Sequence, residues 1–302
     1  MSSSAPVRLY ENLRTVSYAP FYLCDIWGLY EAAGVSVEMR LSPAPSETAE
    51  GLMAGRADVS FGGPMRVMLH HERDANCPLV CFGQVVGPEP FALIGARPLD
   101  NFRFADLLGE RVGVVTEVPT PWLTLQDDLR RAGIDPEDID RGTPRTMDAN
   151  VAALAAGDVD VIQVMEPEAE LALSAGGHLW HRFSARGNIG FSTFYTTRAY
   201  LDANLDACTR MVRSVKTATA HLYDMAPSAL AAALIDYFPN LEAEGLSRSL
   251  ARYQQARIWV RDGVLTPAEF VRLKGALLSS GFINRDLPFD RLVDNRPARA
   301  DG

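Results

Sequence analysis

Part of this chain occurs twice, and the repeat constrains its fold more than any other feature. Leu52-Met-Ala-Gly55-Arg-Ala-Asp58-Val59 is matched by Leu154-Ala-Ala-Gly157-Asp-Val-Asp160-Val161. An upstream pair follows in the same order: Tyr18-Ala-Pro20 precedes a helical pattern ending at Ala33-Gly34-Val35, and Pro119-Thr-Pro121 precedes one ending at Ala132-Gly133-Ile134. Both pairs are offset by roughly 100 residues, the length of a small domain. Two matched motifs in one order predict two α/β units of similar plan.

Each unit reads as helix, glycine stop, short apolar strand and a proline-opened segment. In the first, Pro43 and Pro45 hold the entry extended, Ser46 or Thr48 can cap a helix ending at Gly55, and Ala57 to Phe61 is the strand. Gly62-Gly63-Pro64 then opens a second helix with proline at its favoured first position. In the second, a strand from Val159 runs into Met165-Glu166-Pro167. Open α/β sheets bind small molecules at such strand-to-helix junctions. Gly62-Gly63-Pro64 is therefore expected to face Glu166-Pro167 across a cleft.

Other segments fill in around the repeat. Pro6 to Tyr10 and Val35 to Leu41 alternate as strands, Ala19 to Ala33 has the apolar stripe of one helix, and Pro78 to Val86 and Phe91 to Ala96 read as strands. Arg111 to Val115 is a buried strand, and Asn188 to Thr196 returns toward the first unit. After Tyr200 the patterns are helical, with a capping box at Thr266-Pro-Ala-Glu269 and a polar, frayed tail beyond Pro288.

Composition narrows the function classes. Of 302 residues, 47% are hydrophobic and 22% charged, which suits a globular chain with a substantial core. A net charge of −9 argues against a nucleic-acid surface or adhesion to an anionic membrane. No run approaches the ~18 apolar residues of a membrane span. Cys24, Cys77, Cys81 and Cys208 show no metal spacing and read as buried free thiols, so no metal or cofactor is expected. The amino terminus lacks a basic stretch followed by an apolar core, so the chain as written is expected in the cytoplasm, or in the periplasm if a leader is missing.

The order of motifs resembles a known family. The Tyr-Ala-Pro-Phe helix start (Tyr18 to Phe21), Ala-Ala-Gly-Val-Ser-Val-Glu (Ala32 to Glu38), both Leu-x-Ala-Gly-x-x-Asp-Val copies, Gly62-Gly63-Pro64 and Leu107 to Val115 are similar to the substrate-binding proteins of nitrate, sulfonate, taurine and pyrimidine ABC transporters. The resemblance spans nearly the whole chain and includes the fungal thiamine-pyrimidine synthase. It implies a class II periplasmic-binding-protein fold: two α/β lobes joined by two crossing strands, with C-terminal helices packed on lobe 1. Lobe 1 would comprise residues 1–92 plus 193–302, and lobe 2 residues 93–192. The synthase carries a cysteine-rich return segment and a lysine at its third junction. Asn188 to Tyr195 has no cysteine here, and Phe61 to Arg66 has no lysine.

The expected ligand contacts are the junction residues Asn12, Tyr18, Ala19, Gly62, Gly63, Pro64, Glu89, Glu117, Thr120, Trp122, Met165, Glu166, Ser192 and Tyr195. No catalytic residue is assigned. If Glu117 and Glu166 face the cleft, they favour a neutral or cationic, pyrimidine-like heterocycle over a small anion. Arg14 and Arg66 could reverse that balance, but Arg66, one turn into its helix, is expected to face solvent. The function expected is reversible binding by lobe closure in a monomer, with an ABC permease as partner. The alternatives are a cytoplasmic enzyme acting on a pyrimidine or aromatic acid through Glu117, Glu166 or His70, and a cytoplasmic ligand sensor.

Overall fold

Two β-sheets organise residues 5–300, the residues that the computed structural model describes. The first contains β1 (Val7–Glu11), β2 (Val37–Leu41), β3 (Val59–Gly62), β4 (Leu79–Pro88) and, far along the chain, β9 (Asn188–Thr197), in the order β2-β1-β3-β9-β4. The second contains β5 (Ala92–Gly95), β6 (Val112–Gly113), β7 (Val161–Val164) and β8 (His178–Arg182), in the order β6-β7-β5-β8. β1 pairs in parallel with β2 and β3, and β9 runs antiparallel to both β3 and β4. The chain leaves the first sheet along β4 and returns along β9, two ten-residue strands paired to each other.

The internal repeat is present in the geometry. Asp58 accepts from Arg8 N at 2.8 Å, Nε at 2.9 Å and Nη2 at 2.7 Å, and Asp160 accepts from Arg111 N, Nε and Nη2 at the same three distances. Each aspartate thus pins the strand that ends its unit to the strand that begins it, in the forked geometry that suits guanidinium and carboxylate. Gly55 and Gly157 both end their helices at positive φ (68° and 76°), a conformation that costs glycine little. The following amides then bond back alike, Arg56 N to Gly51 O at 2.8 Å and Asp158 N to Ala153 O at 2.9 Å.

The second copy is the sparser one. Arg111 to Val115, expected as a full strand, forms only the two-residue β6. Where the first unit has β2, it has isolated bridges from Arg111 to Asp140 and from Val115 to Arg145.

Several helices differ from the sequence pattern. The stretch from Ala19 is interrupted after Trp27, giving helices Ala19–Ile26 and Leu29–Ala32. The tail beyond Pro288 is not frayed: Leu292 is fully buried, Val293 bridges to Cys81 of β4, and Asn295 exchanges hydrogen bonds with Leu265. Two adjacent apolar residues carry no periodicity, so this docking has no signature in the sequence.

The C-terminal helices pack on the first sheet's layer as expected, with Leu205–Asp224 lying against Ala19–Ile26. They also reach the second sheet's layer. Helix Ala243–Ala256 touches helix Glu168–Ser174, and helix Pro267–Ser279 touches helix Thr120–Arg131. All four cysteines are buried and free.

Candidate functional site

Strand ends and helix starts from both sheets meet beside β9. Gly63 precedes helix Pro64–Arg73, and Thr120 begins helix Thr120–Arg131. A methyl group placed on Gly63 would meet the Phe191 carbonyl oxygen at 3.5 Å and Thr120 Oγ1 at 3.9 Å, so the two helix starts approach within van der Waals reach. Neither helix has a side-chain cap. Their first-turn amides are therefore left without side-chain partners, and two positive helix ends converge.

Around this point the first sheet contributes a polar ring on an aromatic base. Tyr18 is 4% exposed, sits edge-on to Phe61 with ring centroids 4.9 Å apart, and shares a hydrogen bond of 3.3 Å with Ser192 Oγ. Phe21 stacks on Phe61 at 3.8 Å, fixing the base under Tyr18. Asn12, at the end of β1, points its amide toward Gly62, where a side chain would collide with it at 2.9 Å. Burial pushes the Tyr18 hydroxyl up to about 12, opposed by its bonds to Ser192 and Asn12 and by the nearby Arg66 charge.

Arg66 is the group that the sequence reading misplaced. Instead of facing solvent it is 8% exposed. Its backbone N–H donates to Gly63 O at 3.0 Å, while its guanidinium makes no hydrogen bond or ion pair with any described residue. The same charge works against the burial that raises the Tyr195 hydroxyl. Buried arginines are ordinarily paired, because a guanidinium removed from water without a partner is costly. Arg14, the other cation considered, is taken: it holds Glu11 through two 2.9 Å bonds and lies over the Tyr22 and Tyr237 rings.

The remaining expected residues divide into neighbours of this ring and structural groups. Ala19 and Pro64 are buried at the starts of their helices, and Met165 is buried at the end of β7. Tyr195 donates to Thr48 Oγ1 on the opposite face of β9 from Phe194 and packs in a separate core cluster. Trp122 lies under the Arg141 guanidinium, 4.5 Å from it. Glu89 is fully buried and accepts from Thr124 Oγ1 at 2.8 Å and from Arg186, which also binds Asp128.

Glu117 and Glu166 are engaged within the protein. Glu117 Oε1 accepts from Met147 N at 2.8 Å, capping helix Met147–Ala156. Glu166 receives Arg252 Nε at 2.7 Å and Ser249 Oγ at 2.9 Å from helix Ala243–Ala256. Its carbonyl accepts from Thr15 Oγ1 at 2.7 Å and Val16 N at 3.3 Å, and its amide N–H donates to the Tyr253 hydroxyl at 2.9 Å. Thus Glu166 meets Thr15 and Val16, while Gly63 meets Thr120 and Phe191. Thr15, Ser249, Arg252 and Tyr253 were missed because their roles depend on partners 83 to 151 residues away. Nearby, burial lifts the Glu168 carboxyl to about 7, with Glu117 and Glu166 adding to the rise.

Thiol chemistry finds no support in the cysteine environments. Burial raises all four thiols, Cys81 and Cys208 to about 12, the reverse of nucleophile activation. Among the described residues no His, Cys, Asp and Glu group could hold a metal ion, and no helix is long and apolar enough to cross a membrane.

With this geometry in view, comparison with known proteins is informative. A family model described as NMT1/THI5 like matches residues 15–227. The putative binding protein YtlA of Bacillus subtilis is 24% identical over 302 residues, covering 97% of this chain and 88% of YtlA. The periplasmic aliphatic sulphonate binding protein SsuA from Escherichia coli superposes with a TM-score of 0.76 at 19% identity, covering 96% of this chain and 97% of that one. The alkanesulfonate-binding SsuA from Xanthomonas axonopodis pv. citri, bound to MOPS, gives 0.74 at 20% identity over 98% and 100% of the two chains. The fold is that of the periplasmic binding proteins.

Proposed function

Since this chain belongs to the NMT1/THI5-like family, we propose that it is the substrate-binding component of an ABC-type import system, and that its ligand is a small organic anion held by Arg66. The observation that carries the anion is Arg66, a residue only 8% exposed whose guanidinium has no hydrogen bond or ion pair to any described residue. Two uncapped helix starts add positive potential at the same place, and Asn12, Tyr18, Thr120 and Ser192 supply neutral hydrogen-bonding groups. A sulfonate or carboxylate suits that set. The sulfonate-binding names of two structural relatives point the same way.

Free carboxylates at Glu117 and Glu166 would favour a neutral or cationic heterocycle. Glu166 is neutralised by Arg252, so it does not oppose an anion as a free charge would, and Glu117 has one oxygen engaged in a helix cap. Lobe 1 is taken as residues 1–92 plus 193–302 and lobe 2 as 93–192, with β4 and β9 as the crossing strands. Ligand would be bound between Gly63 and Thr120 as the lobes close. A permease partner and export to the periplasm follow from the same reading.

Native mass spectrometry of freshly purified protein tests it, since tight binders keep their ligand. Release of an organic anion in stoichiometric amount is expected. Recovery of a neutral or cationic heterocycle would overturn the assignment.

A further inference from the structure

We propose that anion binding at Arg66 is coupled to protonation of His70, so that the site takes up a proton with its ligand; this rests on the Arg66 reading above. His70 lies four residues beyond Arg66 on helix Pro64–Arg73, which puts the two side chains on one face with Cβ atoms about 5–6 Å apart. The imidazole is only 12% exposed, and its Nε2 lies 3.5 Å from Glu50 Oε1 on helix Thr48–Met53. His70 thus neighbours both a buried, unpartnered cation and a half-exposed carboxylate.

Opposed influences meet on this imidazole. Burial lowers its pKa, the Arg73 and Arg66 charges lower it further, and Glu50 raises it. β4, β9 and helix Pro267–Ser279 also pack on this helix, and among the described residues they bring no further charge to bear on His70. His70 also sits in the last turn of its helix, where the free carbonyl ends favour a cation. An anion on Arg66 cancels the charge there and leaves Glu50 and the helix end to favour imidazolium. The pKa of His70 is then higher in the complex than in the free protein. Affinity for the anion therefore rises as pH falls through the bound-state value, and levels off below the free-state one.

The test uses the full chain and butane-1-sulfonate, which stays anionic throughout. Calorimetric titration in cationic amine buffers should show affinity rising about fivefold or more from about pH 8 to about pH 5, the gain for a His70 shift of about one unit. Adding the sulfonate to unbuffered protein near pH 6 should draw protons from solution, read by pH-stat. His70→Gln should lose both the gain and the proton uptake. Glu50→Gln, at a half-exposed position, should move the rise to lower pH, which keeps the test open should the first variant fail to fold. Glu168→Gln should keep the dependence, separating His70 from the carboxyl raised to about 7. Sulfonate binding with no pH dependence and no proton uptake, an unchanged dependence in folded His70→Gln or Glu50→Gln, or its loss in Glu168→Gln would each overturn the proposal and leave the Arg66 reading standing. No sulfonate binding at any pH would overturn both.

Discussion

Replacing Arg66 by methionine should raise the stability of the free protein and remove its ligand affinity together. Methionine keeps the length and the apolar stem of the side chain but deletes the guanidinium. In the ligand-free protein the residue is 8% exposed and its guanidinium unpartnered, so the deletion should return part of an unsatisfied polar group's penalty, about 1–3 kcal/mol. For a chain somewhat larger than 250 residues, 1 kcal/mol corresponds to a rise in Tm of about 2 °C. A charge-assisted hydrogen bond to an anion contributes about 1.5–3 kcal/mol, so affinity for butane-1-sulfonate should fall by about 10- to 150-fold. Arg66→Lys should fall in between, because an ammonium keeps the charge without the planar fork. Scanning fluorimetry of ligand-free protein and calorimetric titration with the sulfonate read the two effects separately. A variant that melts below wild type without ligand, or binds the sulfonate within twofold of wild type, would refute the reasoning.

Three further outcomes are expected. Gly63 has an ordinary φ of −71°, so Gly63→Val should fold normally; its side chain would occupy the gap to Phe191 and Thr120, and sulfonate affinity by titration should drop by about tenfold or more. Arg252→Met strips a cation from two carboxylates that are 3–4% exposed, and should destabilise by about 3 kcal/mol in urea unfolding, with Glu166→Gln added to it restoring part of the loss. The Glu168 carboxyl is raised from 4.5 to about 7, so between these values the folded state holds a proton that the unfolded chain releases. Its contribution is favourable below about pH 4.5 and is lost as pH rises through about 7; Glu168→Gln should flatten the urea midpoint across that window by on the order of 1 kcal/mol per pH unit, and an unchanged slope would refute the assignment.

What could be read from the sequence was what local chemistry decides. The glycine stops and the proline-opened helices are set by neighbours a few residues away, Asp58 and Asp160 were visible as matched positions of the repeat, and the two-unit plan followed from them. Arg66 could not be read that way. Position alone makes an arginine in a helix's first turn a surface charge, but the helix that carries this one is packed against β9 and helix Pro267–Ser279, both more than a hundred residues downstream. Glu117 and Glu166 show the converse error. Their proline-flanked junctions were visible, but their partners Met147 and Arg252 lie 30 and 86 residues away, so free cleft charges were expected where the fold has a helix cap and an ion pair. The Leu292–Val293 contact was hidden for a different reason, since two apolar residues in a polar tail have no period.

The duplicated Arg–Asp clasp has a mechanical consequence. Each clasp fixes the first and last parallel strands of its own unit with three bonds, all within that unit, and none of the six spans the gap between Gly63 and Thr120. The register of each unit is therefore held independently of the other, and the ties between them lie in β4, β9, the contacts around Glu166 and the packing of helix Pro267–Ser279 on helix Thr120–Arg131. Ligand affinity should then respond steeply to substitutions in those connecting elements and hardly at all to loosening either clasp, which would lower stability alone.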